Sequence, residues 1–449
     1  MFDIILITDI NGGISKEGKI PWNFSEDMQY FMHKTMYGVV IMGRKTFETF
    51  SSPLPNRVHI VITRNPEQSP KDGVYFVKNF QEAYDIAKSF CKAIWVIGGK
   101  EIYNISFRHY ALDKIYKNVI EHDFECDNNV HFNNIQISVI GEGIFKNKVD
   151  GNFYNLQFQL CKRIHNTVEH EYLSLCNKIL TTGELRQSRS GNTISLFSHV
   201  LNVNLSHGFP LLTTKKMFWK GIVEELLFFI RGETNSKKLS EKGVKIWEGN
   251  TTKEFLQKLN LPYEEGQMGP MYGYQWRFFN KPLSEKEGGI DQLSTIIDEI
   301  RRDSYSRRLV MTDFNPLQVN QGVLYPCHSL ILQFYVNKNK ELSCNMYQRS
   351  ADVFLGLPFN IASTSLLTHI IAQLTDLKPG HVHIHLGDCH IYEEHIPQVK
   401  EQLSRIPFDF PTIQFPPFKT IQQVEESSFS DYVLTNYESH PLIKAEMKV

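Results

Sequence analysis

Residues 347–363 read YQRSADVFLGLPFNIAS, and no other stretch limits the possible folds of this chain so tightly. Between Tyr347 and Asn360 stand an Arg-Ser pair, an Asp, a Gly-Leu-Pro-Phe segment that predicts a turn, and the Asn itself. That is more hydrogen-bonding chemistry than a plain core strand carries, and more apolar surface than a loop tolerates. Upstream, Tyr325-Pro326-Cys327-His328 supplies a thiol, followed by a strand-like run at 330–336. A thiolate is a soft nucleophile suited to conjugated rings, and it needs nearby positive charge to ionise. Arg349 can supply that charge. An isolated Cys is usually buried and inert; this one has chemical company.

Composition narrows the function classes. Lys plus Arg (48) balance Asp plus Glu (49), a net charge of −1, which argues against a nucleic-acid or acidic-membrane partner. A chain of 449 residues predicts two or three domains. Seven Cys without a C-x-x-C pair predict reduced thiols. The N-terminus opens on a strand-like run and lacks signal-peptide features, and no apolar stretch approaches the ~18 residues of a membrane span. A cytoplasmic location with no membrane attachment is the expectation.

The first 163 residues alternate β-branched runs with amphipathic segments, the pattern of a layered α/β domain. Strands are predicted at 4–8, 39–42, 59–63 and 93–97. The polar stretch 141–152 predicts a hairpin loop before a last strand at 153–163. Residues 164–168 read as a short linker, and an amphipathic helix is predicted over 169–182. The expected domains are therefore 1–163 and 169–449.

Within the first domain, Gly12, Gly13 and Gly18 precede Pro21-Trp22, suggesting a loop that closes over a site. A helix predicted at 25–34 sets Asp27 beside Phe24 and Phe31, while Glu26 points elsewhere. An acid in a first helical turn is usually a surface residue; its company shifts the odds. Strands run into Gly43-Arg44-Lys45-Thr46, Arg64 and Gly98-Gly99, and the cations favour a 2′-phosphate, hence NADPH. The segments IPWNFSEDMQYF (20–31), VIMGRKTFETF (40–50), PLPNR (53–57) and WVIGGKEIY (95–103) resemble dihydrofolate reductase in order and spacing.

The resemblance implies a mixed, mostly parallel central sheet with flanking helices. It implies that Asp27 grips the pterin and promotes protonation at nitrogen 5. Phe31, Phe50 and Leu54 would line the folate pocket, and Arg57 would bind the glutamate α-carboxylate. Gly43, Arg44, Lys45, Thr46, Thr63, Arg64, Gly98, Gly99 and Tyr103 would hold NADPH, with Ile20 and Trp22 on the closing loop. Asn118 stands where the family usually has Thr, Leu6-Ile7 replaces small residues, and Ser15 replaces Gly.

The remainder resembles thymidylate synthase. Beyond the blocks above, the likeness rests on SRSGNT (188–193), GFPLLTTKK (208–216), EELLFFIRGETN (224–235), IWEGN (246–250), GPMYGYQWR (269–277), DSYSRRL (303–309) and HIHLGDCHIY (383–392). It implies an α+β domain with Cys327 as nucleophile on carbon 6 of dUMP. Arg189, Arg349 and Ser350 would hold the 5′-phosphate, joined by Arg307 and Arg308 from the partner subunit of a homodimer. Such convergence suits a dianion, which prefers guanidinium partners. Asn360 would read the uracil edge, and His390 and Tyr392 the ribose 3′-hydroxyl. Glu225 would organise proton transfers, with Tyr272 and His328 nearby. Asp352, Trp247 and Asn250 would contact 5,10-methylenetetrahydrofolate, over which the C-terminal Val449 closes.

Two rival readings frame these assignments. A hydroxymethylase acting on dCMP would need an acid at Asn360, whereas an amide satisfies uracil's adjacent carbonyl and N–H together. His381, His383, His385 and His390, with Asp388 and Cys389, look like a metal cluster, but three alternate along one strand face without zinc spacing. No metal is expected.

Overall fold

The structure, a computed structural model, describes residues 1–66, 73–109, 111–131, 137–149, 152–163, 166–188, 190–285 and 287–447. It divides into two compact units, Met1–His165 and Asn166–Val449.

Eight strands form the sheet of the first unit, in the order Val74–Val77, Val58–Ile62, Val39–Gly43, Ile94–Gly98, Phe2–Thr8, Leu112–Ile120, Asn152–Arg163 and Ile137–Val149. The first six run parallel, and Asn152–Arg163 runs antiparallel to both of its neighbours. Val39, Val40, Ile41 and Met42 are all fully buried, as parallel strands covered on both faces require. The helix Phe80–Ser89 turns Phe80, Ala83, Tyr84 and Ala87 into the core, and the Asn79 side chain caps its first turn. Because the strands ending at Gly43, Ile62 and Gly98 are parallel, their carboxyl ends share one edge of the sheet. Ligands of open α/β sheets bind there.

One expectation fails in this unit. Residues 141–149 are strand, not loop: Ile137–Val149 pairs along Asn152–Arg163 from Ile137↔Arg163 to Val149↔Asn152, with a register slip at Leu160/Cys161. The segment is polar because it is the sheet's outermost strand, where charge blunts an open edge.

The second unit is built on a six-stranded sheet, ordered Glu184–Ser188, Gly191–Asn204, Lys378–Tyr392, Glu341–Asp352, Ile331–Val336 and Val310–Met311. Only Glu341–Asp352 and Lys378–Tyr392 are parallel neighbours, and the helix Gly356–Leu374 makes the crossover between them. Both this helix and Trp219–Ile230 are apolar nearly all round, and both are buried. The Gly-Leu-Pro-Phe segment is not a turn but the start of that crossover helix. Pro358 fits because the N–H groups of a first helical turn have no intrahelical partner anyway.

One sheet face is covered, burying Leu332, Phe334 and Met346. The other leaves Ile331, Tyr335 and Tyr347 at 49%, 66% and 40% exposure. His381, His383 and His385 lie on this second face, in register with Asn204, Asn202 and Val200. They are a strand face, and no metal-holding group occurs among the described residues.

The expected linker is shorter than 164–168. A helix already runs from Thr167 to Thr182, because Asn166 caps it by accepting from the Glu169 N–H. Ile164 and His165 lie outside the described residues. Glu169 is buried yet satisfied, accepting from the backbone and hydroxyls of Thr213 and Thr214 and from the Asn166 amide.

Candidate active sites

In the first unit, the helix Ser25–Thr35 carries Asp27 half-buried while Glu26 faces solvent. Asn118, on the central strand Leu112–Ile120, donates its amide to Asp27 Oδ1 at 2.5 Å. Burial pushes the Asp27 carboxyl above its ordinary range, and the Asn118 hydrogen bond pulls it part-way back. The result is a carboxyl that takes up a proton more readily than an exposed one. The replacement of Thr by Asn at 118 therefore keeps a donor on the carboxylate. Trp22 is buried against Phe124, ring centroids 5.1 Å apart, whereas Ile20 is exposed.

Phe31, Phe50 and Leu54 pack against one apolar cluster with Ile5, Val40, Trp95 and Ile97. The Leu54 N–H bonds His59 Nε2 at 2.9 Å, which steadies the Pro-Leu-Pro segment. Arg57 is buried, its guanidinium donating to Thr35 Oγ1 and to the carbonyls of Met32 and Pro55. Those bonds orient the fork.

At the sheet's carboxyl edge the glycines show why they are glycines. A Cβ on Gly98, where φ is +117°, would sit 3.1 Å from the Tyr103 ring, and one on Gly99 would sit 3.2 Å from Thr46 Oγ1. Gly98, Gly99, Tyr103 and Thr46 thus form one cradle with backbone open to a pyrophosphate, which fits NADPH. Tyr103 is fixed by donating to the Ile5 carbonyl at 3.0 Å. Arg64, Arg44 and Lys45 are exposed, Arg44 forked onto Glu48 one helical turn later, while Thr63 is half-buried.

The second unit brings together residues spread over more than a hundred positions. Tyr272 Oη lies 3.3 Å from Cys327 Sγ and accepts from the Cys327 N–H at 3.3 Å. The His328 ring stacks on Tyr272 at 4.5 Å. Tyr272 sits at φ +48°, and Gly273 follows it so closely against the Phe229 backbone that a Cβ would come within 2.2 Å. Arg349 donates to the carbonyls of Pro326 and Tyr325 at 2.7 and 2.8 Å and lies over the Tyr325 ring. It therefore clamps the thiol loop as well as charging it. Burial raises the Cys327 thiol pKa, and the Tyr272 hydrogen bond and Arg349 oppose that rise. Burial also drops His328 to about 4, leaving a neutral ring.

Glu225 accepts from Trp247 Nε1 at 2.8 Å, and burial lifts its carboxyl to about 7, where it can both take and give a proton. Asn360 accepts from Gln348 Nε2 at 3.1 Å, which fixes the orientation of its amide. Gln348, Asp388 and Ser329 were not singled out for these roles in the sequence, where Asp388 entered only with the rejected metal cluster. Asp388 orients His390 through a 2.8 Å contact to Nδ1, with Tyr392 edge-on to the same ring, and Ser329 bonds His328 Nδ1 at 2.9 Å. Strand alternation within the polar blocks was the available signal for the first two.

Asp352 accepts from the Phe354 and Leu355 N–H groups in the turn before the crossover helix, and Ser350 precedes it on the strand Glu341–Asp352. Asn250, with Phe218, Ile246 and Met447, lines a pocket of about 390 Å³. Arg307 and Arg308 are exposed and reach none of these groups within the chain's described contacts. Arg189 and Val449 lie outside the described residues.

Residues 1–163 match the dihydrofolate reductase family and residues 170–449 the thymidylate synthase family. Over its full length the chain is 37% identical to the bifunctional dihydrofolate reductase-thymidylate synthase of Paramecium tetraurelia, covering 99% of that protein. The chain belongs to the bifunctional dihydrofolate reductase–thymidylate synthase family. The namesakes from Zea mays and Leishmania major are 35% and 34% identical over all of this chain, covering 97% and 95% of their lengths. The enzyme joins NADPH-dependent reduction of dihydrofolate to methylation of dUMP by 5,10-methylenetetrahydrofolate, which yields dTMP and dihydrofolate. No helix among its described residues is long and apolar enough to cross a membrane.

Proposed function

We propose that the two activities of this enzyme use two separate sites, one around Asp27 and one around Cys327. The observation that carries the second is the Tyr272–Cys327 contact at 3.3 Å, with Arg349 clamping the same loop. Sulfur addition to carbon 6 of dUMP makes carbon 5 nucleophilic toward the one-carbon unit of the folate. Glu225 moves the protons this requires, Asn360 reads the uracil edge, and His390 with Tyr392 takes the ribose. Arg349 and Ser350, with Arg189, hold the phosphate. Trp247, Asn250 and Asp352 face the folate, closed by the C-terminus through Val449.

A fluorinated uridylate analogue that cannot release its carbon 5 substituent tests this assignment. With methylenetetrahydrofolate it leaves added mass on the Cys327 peptide. An unmodified Cys327 in folded, dUMP-binding enzyme refutes the nucleophile.

In the first site Asp27 promotes protonation of nitrogen 5, so that hydride from NADPH meets a cationic imine. Phe31, Phe50, Leu54 and Arg57 hold dihydrofolate. Gly43, Arg44, Lys45, Thr46, Thr63, Arg64, Gly98, Gly99 and Tyr103 hold NADPH, with Ile20 and Trp22 closing over it. Arg44 must leave Glu48 to do so, a cheap step for an exposed pair.

We further propose a homodimer formed through the open sheet face of the second unit, with Arg307 and Arg308 completing the partner's phosphate site. Ile331, Tyr335 and Tyr347 supply the apolar area, and the two arginines are exposed, their guanidinium groups without a partner among the described residues. Mixing Cys327→Ala protein with Arg308→Ala protein under exchange conditions then restores dTMP formation toward a quarter to a half of wild type. Mixtures no more active than their components rule out a shared site. The seven free thiols fit a reducing cytoplasm, and the balanced charge offers no nucleic-acid surface.

A further inference from the structure

Asp313 follows the short strand Val310–Met311, is 1% exposed, and finds no hydrogen-bond partner for either carboxylate oxygen in any other described residue. Buried carboxylates are ordinarily paired, as Glu169 is in the same unit. An orphan acid in a core costs stability and calls for a reason.

Its surroundings supply one. The flanking backbone is tied to the thiol loop: Thr312 Oγ1 donates to the Leu330 carbonyl, Met311 pairs with Leu332, and the Phe314 ring meets Tyr325 at 5.7 Å. From the helix Gln292–Arg302, Gln292 holds Thr312 by accepting from its N–H and donating to its carbonyl. Tyr272 and Cys327 are the ionisable groups that feel the Asp313 charge, and Arg349, from Glu341–Asp352, acts on Cys327. Burial drives the Asp313 carboxyl and the Tyr272 hydroxyl well above their ordinary values and keeps His328 neutral. After burial and the Tyr272 hydrogen bond, the Cys327 thiol feels Arg349 drawing it down and Asp313 pushing it up. Cys327 thus feels one cation and one buried acid, and beside that acid a second negative charge is costly.

We propose that Asp313 and Cys327 share a single negative charge, so that Asp313 is a positioning residue governing when the nucleophile ionises. With Asp313 ionised the sulfur keeps its proton. When Asp313 holds the proton, Arg349 stabilises the thiolate and the nucleophile is armed. The pair titrates as one coupled system. The inference rests on the assignment of Cys327 as nucleophile, but its test does not need turnover.

The test is the pH dependence of Cys327 alkylation by iodoacetamide in the full-length enzyme, read from the mass of the Cys327 peptide, for wild type, Asp313→Asn and Asp313→Ala. Removing the carboxylate moves the midpoint to lower pH and speeds alkylation at pH 7 on the order of ten-fold. A merely structural Asp313 changes melting temperature and leaves the midpoint where it was. Both variants remove an unpaired buried acid, so they are expected to fold, and thermal melts verify this. Unmoved midpoints in the two folded variants overturn the proposal. Failure of the fluorinated analogue to mark Cys327 would instead remove the nucleophile assignment, a separate outcome.

Discussion

Replacing Cys327 by alanine lowers dTMP formation by more than about 10⁴-fold while NADPH oxidation with dihydrofolate continues at the wild-type rate. The loss is this large because nothing nearby can substitute. Burial raises the Tyr272 hydroxyl out of the useful range. It also lifts Cys176, Cys344 and Cys389 to about 12, so none provides thiolate at neutral pH. Serine at 327 does little better than alanine, because a hydroxyl is a far weaker nucleophile toward a conjugated ring. The two activities are measured on one preparation, by dTMP product and by NADPH absorbance. Parallel loss of both would mean that the sites are not separate, and residual dTMP formation within a hundred-fold of wild type would mean that another group attacks the ring.

Asp27→Asn does the reverse. Dihydrofolate reduction at pH 7 falls by about 10²–10⁴-fold and dTMP formation persists. The amide keeps the shape and can still accept from Asn118, but it cannot promote protonation of nitrogen 5. The proton then comes from solvent, so the variant's rate climbs about ten-fold for each unit of falling pH, a slope that distinguishes lost proton delivery from lost binding. Loss of fold is separable too. Because the folded-state pKa of Asp27 is raised, its contribution to stability is greatest at acid pH. It is lost as pH rises from the unfolded value of 3.8 through the folded one. At pH 7 the charged form is a cost that the amide removes, so the variant melts at or above the wild-type temperature. A variant that melts well below wild type, or whose rate does not respond to pH, counts against the assignment.

Much of each site was legible because its residues travel in short blocks. Asp27 with Phe24 and Phe31 follows from helical spacing alone. Gly98-Gly99 and Thr46 each announce a strand turning into a helix. What spacing could not show is how the blocks are oriented against one another. Local composition misled at 141–149, since a polar run reads as loop until its pairing partner makes it an edge strand. It misled again at Gly-Leu-Pro-Phe, where turn-forming residues begin a helix because the fifteen helical positions after them are apolar enough to be buried.

The amino-acid order by itself determined the family and the fold class, and it nominated a nucleophile and an acid, because periodicity and local motifs act over a few residues. Folding decided the ionisation states. The Asn118 bond to Asp27, the Trp247 bond to Glu225, the Arg349 clamp on the thiol loop and the orphaned Asp313 all join residues far apart in the chain. A group's charge depends on its desolvation and its neighbours, and both exist only once the chain has closed around it.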